Sequence, residues 1–389
     1  MTDYLAEAKR LDLVVWRRYL HRHPELGFQE VRTAGIVARH LGELGMEVQT
    51  GIGRTGVVGV LEGNKPGPVV MVRFDMDALP IIEENTHEFV SETPGVMHAC
   101  GHDGHIAIGM GVATLLARHR HELAGSVKFV FQPAEEGMGG AVEMIKDGVL
   151  HALAPRPDVT LGLHIFSSLP AGVVTAGEGP VMAAAERFHV IVKGHGGHGA
   201  MPHQTVDAVV VAAQIVTALQ TIVSRNVNPA QVAVVSVGSF HSGTAFNIIA
   251  EQAELWGTIR TFDEATRQMV LRRIREIVEG TARAMGASAD LDIEELTIAV
   301  VNDASVAARV RQAATHIVGA ERVSTDQRWM ASEDMSYFLR EIPGCFFFIG
   351  GARSANEYPH HNPHFDFDEA VLPQGVAILC ETVAGYLQT

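Results

Sequence analysis

Cysteine, positive charge and long apolar runs are scarce in this chain, and each scarcity excludes something. Only three cysteines occur, Cys100, Cys345 and Cys380, and none has paired spacing. A disulfide framework is therefore not expected, and a reducing compartment is. Lysine and arginine number 30 against 45 aspartates and glutamates, a net charge of −15 at pH 7. That balance argues against nucleic acid or an anionic membrane as the main partner. It also means that an anionic substrate needs a local cationic site. No apolar run reads as long enough to cross a bilayer. The first twenty residues, MTDYLAEAKRLDLVVWRRYL, read as an amphipathic helix and not as a signal peptide, so a cytoplasmic protein is expected. There is no internal repeat and no low-complexity tract. The glycines at 177–179 and 194–197 do not follow the strand-to-helix pattern that cradles phosphate.

What is present fits a large globular core. Hydrophobic residues make up 47% and charged residues 19% of 389 positions, a length that suggests about two domains. The 14 methionines read as core filler. Helical spacing predicts helices over 3–20, stopped by Pro24, and over 29–44, ended by Gly45. Strands are expected at 46–49, 56–62 and 69–74. The last is nearly continuous in apolar residues, as in a strand buried on both faces, and it delivers Asp75 and Asp77 at its carboxyl end. A helix over 106–117, a buried strand over 127–131 leading to Glu135-Glu136, and a strand from 158 leading to His164 follow. Polar groups at successive strand ends predict an α/β, doubly wound mixed-sheet domain.

From 186 the rhythm changes. Strands at 188–192, 232–240, 254–261 and 291–294 alternate with helices at 207–223 and 264–285. This β-α-β-β-α-β order is a two-layer α+β unit of its own. The expected organisation is therefore a split domain, 1–185 with 301–389, and an insert at 186–300. Helices at 306–318 and 369–387 and a strand at 344–350 complete the split domain.

The chemistry gathers around the stretch MHACGHDGH at 97–105. Cys100 and His102 stand two apart across Gly101, on one side of an extended or turning segment. Thiolate and neutral imidazole suit zinc and similar transition metals. Together with Glu136, His164 and one of His360 or His361, they exceed what one tetrahedral ion needs, so two ions are expected. Glu135 then stands beside a ligand without being one, the position of a hydrolase general base. Asp75 reads as a cap of the following turn, and His98 and His105 as flanking histidines outside the ligand set. His203 could contact substrate or only sit in a turn.

HRHPELGFQE, RFDMDALPI, MHACGHDGHIA, FQPAEEGMGGA, GLHI, GGHGAMPH, NIIAEQAELWGTIRTFD, SEDMSYF and HHNPHFDFDE occur in this order. With them the chain resembles, over essentially its whole length, the hippurate hydrolase and N-acyl-amino-acid amidohydrolase (aminoacylase) branch of the dinuclear metallopeptidases. Related carboxypeptidases and plant auxin-conjugate hydrolases share that branch. The resemblance implies that Cys100 bridges two metals, with Glu136 and His361 completing one site and His102 and His164 the other. His361 is preferred over His360 because the family ligand stands two before the proline, here Pro363. Glu135 would be the general base, and Asp77 the acid orienting a ligand histidine. The insert would be a lid and dimerisation domain. His198 would polarise the scissile carbonyl across a dimer, and Asn247 and Arg260 would hold the substrate carboxylate. Arg260 could instead be a solvated, salt-bridged arginine. Zinc, manganese, cobalt or nickel could serve as the divalent ions.

The function expected is hydrolysis of N-acyl-L-amino acids to a carboxylic acid and a free amino acid, by a homodimer or larger homo-oligomer with no nucleic acid or membrane partner. Two other readings stay open: a carboxypeptidase or dipeptidase with the same chemistry, and a metal-loaded binding protein without turnover.

Overall fold

The computed structural model describes residues 2–354 and 357–388. The chain divides into two compact units, Met1–Val181 with Val300–Arg328 and Glu333–Thr389, and Met182–Ala299 with Trp329–Ser332.

The first unit is built on an eight-stranded mixed sheet. Its strands are β1 (Glu47–Ile52), β2 (Gly56–Glu62), β3 (Lys65–Asp75), β4 (Ala124–Gln132), β5 (Val159–Pro170), β6 (Val174–Thr175), β7 (Val323–Ser324) and β8 (Gly344–Ala352), in spatial order β1-β2-β4-β3-β5-β8-β6-β7. The central strands β4, β3, β5 and β8 run parallel. Both faces are covered. Neighbouring strand residues point to opposite sides. Leu163 meets the helices His102–Arg118 and Leu372–Leu387 at Ile108 and Gly375, whereas Gly162 abuts Met335 of the helix Met335–Glu341. This is the α/β architecture expected.

The expected N-terminal helix over 3–20 is in fact two, Tyr4–Ala8 and Leu13–Arg22. Leu11 and Leu13 would lie about 200° apart on one straight helix. The break turns both onto Gly111 of the buried helix. That helix starts at His102, four residues before the expected start, with Gly101 before it at φ 91°. Of the extended or turning segment expected for Cys100 and His102, the structure shows the turn. The left-handed turn that glycine permits lifts His102 into the first helical position.

The second unit is a four-stranded antiparallel sheet ordered Ala233–Ser242, Gln252–Thr261, Ala184–Lys193, Ser288–Thr297. It carries the helices Ala208–Thr221 and Glu264–Ala284, in the β-α-β-β-α-β order read from the sequence. Phe188, Val190 and Val192 point into its core, and Arg187, His189 and Lys193 do not. Trp329 pairs with Met182, which brings residues 329–332 into this unit.

One expectation is corrected. Two helical segments, Ala208–Asn226 and Glu369–Leu387, are long and apolar enough to cross a membrane by length and composition. The second is mostly buried, and its apolar side belongs to the core of its own unit. The first supplies Val211, Ile215 and Leu219 to the core of the second unit.

Candidate metal centre

Strand β3 pairs with β5 only as far as Arg73 opposite Gly162, whereas β5 continues along β8 beyond that point. His164 therefore sits inside β5, not after it, at the carboxyl edge of β3. Asp75 and Asp77 emerge there too, and β4 ends there at Gln132.

Among the described residues several triads of donor atoms form at this edge, and two of them contain Cys100: Cys100 with His102 and His164, and Cys100 with Glu136 and His361. Within each, the donors lie no more than 4.8 Å apart, and the triads share Cys100. The Cys100 Sγ stands 3.5 Å from His164 Nε2, and His361 Nε2 stands 3.1 Å from Glu136 Oε1. His102 Nδ1–H donates to the Asp77 carbonyl at 2.8 Å, and His164 Nδ1–H donates to the Ile165 carbonyl at 2.7 Å. With Nδ1 committed, each ring presents the lone pair of Nε2, the arrangement that supports metal-ligating histidines. His102 Nε2 is buried without a hydrogen-bond partner. Such an orphan needs an explanation, and a cation between thiolate, imidazole and carboxylate donors supplies one; the donor set fits a borderline divalent metal.

His360 is a different case. Its Nε2 accepts the Ser167 N–H at 3.1 Å, so its lone pair is spent. His361 has its ring half exposed, its N–H bonded to the Ala99 carbonyl at 2.8 Å, and a left-handed φ of 64°. A non-glycine residue held there stores strain of the kind that collects at functional sites.

The turn carrying Glu135 and Glu136 is held by three carboxylates. Asp77 accepts the N–H groups of Glu135 and Glu136, both at 3.0 Å. Glu30 accepts the N–H of Ala134, itself at φ 52°, and Asp334 accepts that of Ala141. Asp77 therefore orients the turn with its carboxylate and His102 with its carbonyl. Glu135 Oε2 lies 4.0 Å from His102 Nε2. Burial, then the neighbouring Glu333, Glu136, Asp334 and Asp77, raise Glu135 well above the usual carboxylate range. Burial also raises the Cys100 thiol, helped by Glu136, Glu135 and Asp75. Burial alone would lower His102, but Asp75 and Asp77 outweigh it and carry it to about 10. Burial is the largest cause at Glu135 and Cys100, and the neighbouring carboxylates act at all three groups; a bound cation would offset that part.

Asp75 does not cap a turn. It is buried, accepts His105 Nδ1–H at 2.6 Å, and is paired with the buried guanidinium of Arg73 at 2.8 Å. Arg73 also binds Gln132, Glu333 and Asp334. Sequence reasoning assigned no role to Arg73, Glu30, Glu333, Asp334 or His105, although all five lie inside motifs already singled out.

In the second unit, His198 pairs with Ile248 in a short ladder, Gly197–His198 with Ile248–Ile249. Gly199 N–H donates to the Asn247 carbonyl. His198 and Asn247 are thus brought together on an exposed surface, with His203 on the adjoining turn Pro202–Gln204. Arg260 lies elsewhere, within the four-stranded sheet, bonded to Thr258 and to the Ile259 carbonyl.

Residues 71–385 match Peptidase family M20/M25/M40. The N-acyl-L-amino acid amidohydrolase of Geobacillus stearothermophilus is 48% identical over 285 residues, 73% of this chain and 76% of that protein. Thermostable carboxypeptidase 2 of Saccharolobus solfataricus is 40% identical over 365 residues, 92% of this chain and 91% of that protein. Among solved structures, a Bacillus subtilis dinuclear metal binding peptidase from the M20 family superposes with a TM-score of 0.85 at 35% identity, covering 98% of this chain and 99% of the other.

Proposed function

The chain belongs to the M20/M25/M40 peptidase family and is a metal-dependent amidohydrolase, and we propose that it cleaves the amide bond of N-acyl-L-amino acids. The observation that carries this reading is the pair of donor triads sharing Cys100, with Glu135 in neither of them but within 4.8 Å of donors in both, His102 and Glu136. Cys100, Glu136 and His361 would hold one divalent ion, and Cys100, His102 and His164 the other. Zinc, manganese, cobalt and nickel all suit these donors. Such ions acidify water and polarise a carbonyl oxygen.

Glu135 takes the proton from the attacking water. It then returns that proton to the leaving amine nitrogen. Asp77 keeps the Glu135-Glu136 turn in register throughout. His198 donates to the carbonyl oxygen as negative charge develops there. Arg260, a planar cationic fork that answers the chain's net negative charge, receives the substrate carboxylate from the sheet of one subunit, and Asn247 reaches it from the surface it shares with His198 on the other. His203 borders the same surface. The second unit serves as a lid and as the contact of a homodimer or larger homo-oligomer. Three free cysteines support a cytoplasmic setting.

The test is Glu135→Gln with metal content measured alongside. Turnover of N-acetyl- and N-benzoyl-amino acids falls by about 10²–10⁴ with both ions retained; near-normal turnover refutes the base assignment. The similarity to a carboxypeptidase favours a second reading, removal of a C-terminal residue from peptides. Faster hydrolysis of dipeptides than of acylated amino acids in a side-by-side panel would select it.

A further inference from the structure

Beyond Gly162, strand β5 no longer has β3 beside it. On its other side it stays paired with β8, Ile349 opposite Ile165. Ile165 is fully buried, and its N–H, on a strand that has lost a neighbour, needs a partner. That partner is His105, whose Nε2 accepts it at 2.9 Å.

His105 can accept there only because its other nitrogen donates. Nδ1–H is given to Asp75 Oδ1 at 2.6 Å. Asp75 is itself fixed, because its other oxygen takes Arg73 Nη1–H at 2.8 Å. Arg73 cannot turn away, since Nε donates to Gln132 at 2.8 Å and Nη2 to Glu333 at 2.9 Å and Asp334 at 3.0 Å. All of these side chains are buried. At the far end, the Ile165 carbonyl accepts His164 Nδ1–H, which leaves His164 Nε2 facing Cys100. His105 is also on the rigid buried helix, with its own N–H bonded to the Gly101 carbonyl.

We propose that His105 is a positioning residue for His164: it replaces the missing strand beside β5, holds the backbone of Ile165 by its N–H, and so places the Ile165 carbonyl that aims the His164 lone pair at the metal shared with Cys100. The inference rests on the metal-centre reading above and adds to it a residue that touches neither metal nor substrate. Arg73 and Asp75 act one step further back, by fixing which His105 nitrogen carries the proton.

The experiment compares zinc-loaded wild type, His105→Leu and His105→Gln in a titration with a chromogenic chelator that counts zinc released per chain. Leucine fills the space but offers no donor or acceptor, whereas glutamine offers one of each. In His105→Leu, one of the two ions is released about 10–100-fold more readily, and the other as in wild type. His105→Gln restores the tighter release. Two ions in wild type with His105→Leu unchanged overturns this inference alone; fewer than two ions in wild type overturns the metal-centre reading as well. Equal weakening of both ions, or no restoration by glutamine, assigns His105 to general folding and also overturns the inference. A second measurement covers a leucine variant that does not fold. In histidine-labelled, chelator-treated wild type, the ring signal absent from His105→Gln reports the tautomer with hydrogen on Nδ1; hydrogen on Nε2 overturns the relay.

Discussion

Arg17 is fully buried and binds Asp103 at 2.8 Å, Asp366 at 2.7 Å and Glu369 at 3.1 Å. His21 shares the same Asp103 oxygen and reaches Glu83 with its other nitrogen. Removing one member of such a group leaves an uncompensated buried charge, so Arg17→Met is expected to cost about 3–5 kcal/mol, read as a lower urea midpoint. The pH dependence has two limbs. Burial would raise Asp103, but Arg17 and His21 outweigh it and hold it well below the usual carboxylate range. Its contribution is present above the unfolded value of about 4 and is lost as pH falls below it. Burial would lower His21, but Asp103 and Glu83 outweigh it and raise it. Its contribution is full below about 6.5 and is lost as pH rises through the folded value. Unfolding measured from pH 3 to 8 should therefore show a shallower acid limb in Asp103→Asn than in wild type. An unchanged limb would place acid sensitivity elsewhere. None of this was readable beforehand, because the partners of Arg17 lie 86, 349 and 352 positions away.

The helix His102–Arg118 is buried almost throughout, and its glycines matter as absences of side chain. A β-carbon at Gly109 would come within 2.7–2.9 Å of ring atoms of Phe74 and Phe131. Both rings are buried against the sheet and cannot give way. Gly109→Ala should therefore destabilise by about 1–3 kcal/mol, although alanine is the better helix former by about 1 kcal/mol. Gly280, inside the helix Glu264–Ala284, has nothing within 4 Å of that position. Gly280→Ala should stabilise by up to about 1 kcal/mol. Opposite signs in urea unfolding are the expected result; the same sign would mean that propensity, and not packing, controls both helices. The existence of the helix was legible from its apolar content. Its start at His102 was not, because Gly101 is compatible with a turn, a strand or a helix cap until the packing around it selects one.

Seen across the chain, negative charge is concentrated where the metals are proposed to bind. Asp75, Glu135, Glu333 and Asp334 are buried near one buried guanidinium, that of Arg73, and Asp77 is buried as well. Burial, with Glu333 beside it, raises Asp334 to about 8 against the pull of Arg73. Stripping divalent ions with a chelator should abolish turnover and lower the melting temperature. An ion present at 100 times its dissociation constant stabilises by about 2.7 kcal/mol. Re-addition of zinc, manganese, cobalt or nickel should restore both, to extents that rank the metals. Turnover without change after exhaustive chelation would contradict the proposed chemistry.

The longer strands and helices, the α/β class, the two-layer insert and the residue types capable of holding metal were readable from local pattern; the short strands β6 and β7 and the helix Met335–Glu341 were not. Apolar periodicity and short motifs are carried by neighbours in the chain. The partners that orient those residues were not readable. Glu30 reaches Ala134 across 104 positions and Arg73 reaches Glu333 across 260, and a hydrogen bond leaves no periodic trace at either end. His164 inside a strand, Asp75 as the anchor of His105, and the lone pair left to each histidine follow from where β3 stops and β5 continues. That is a property of strand register, and register exists only once the chain is folded.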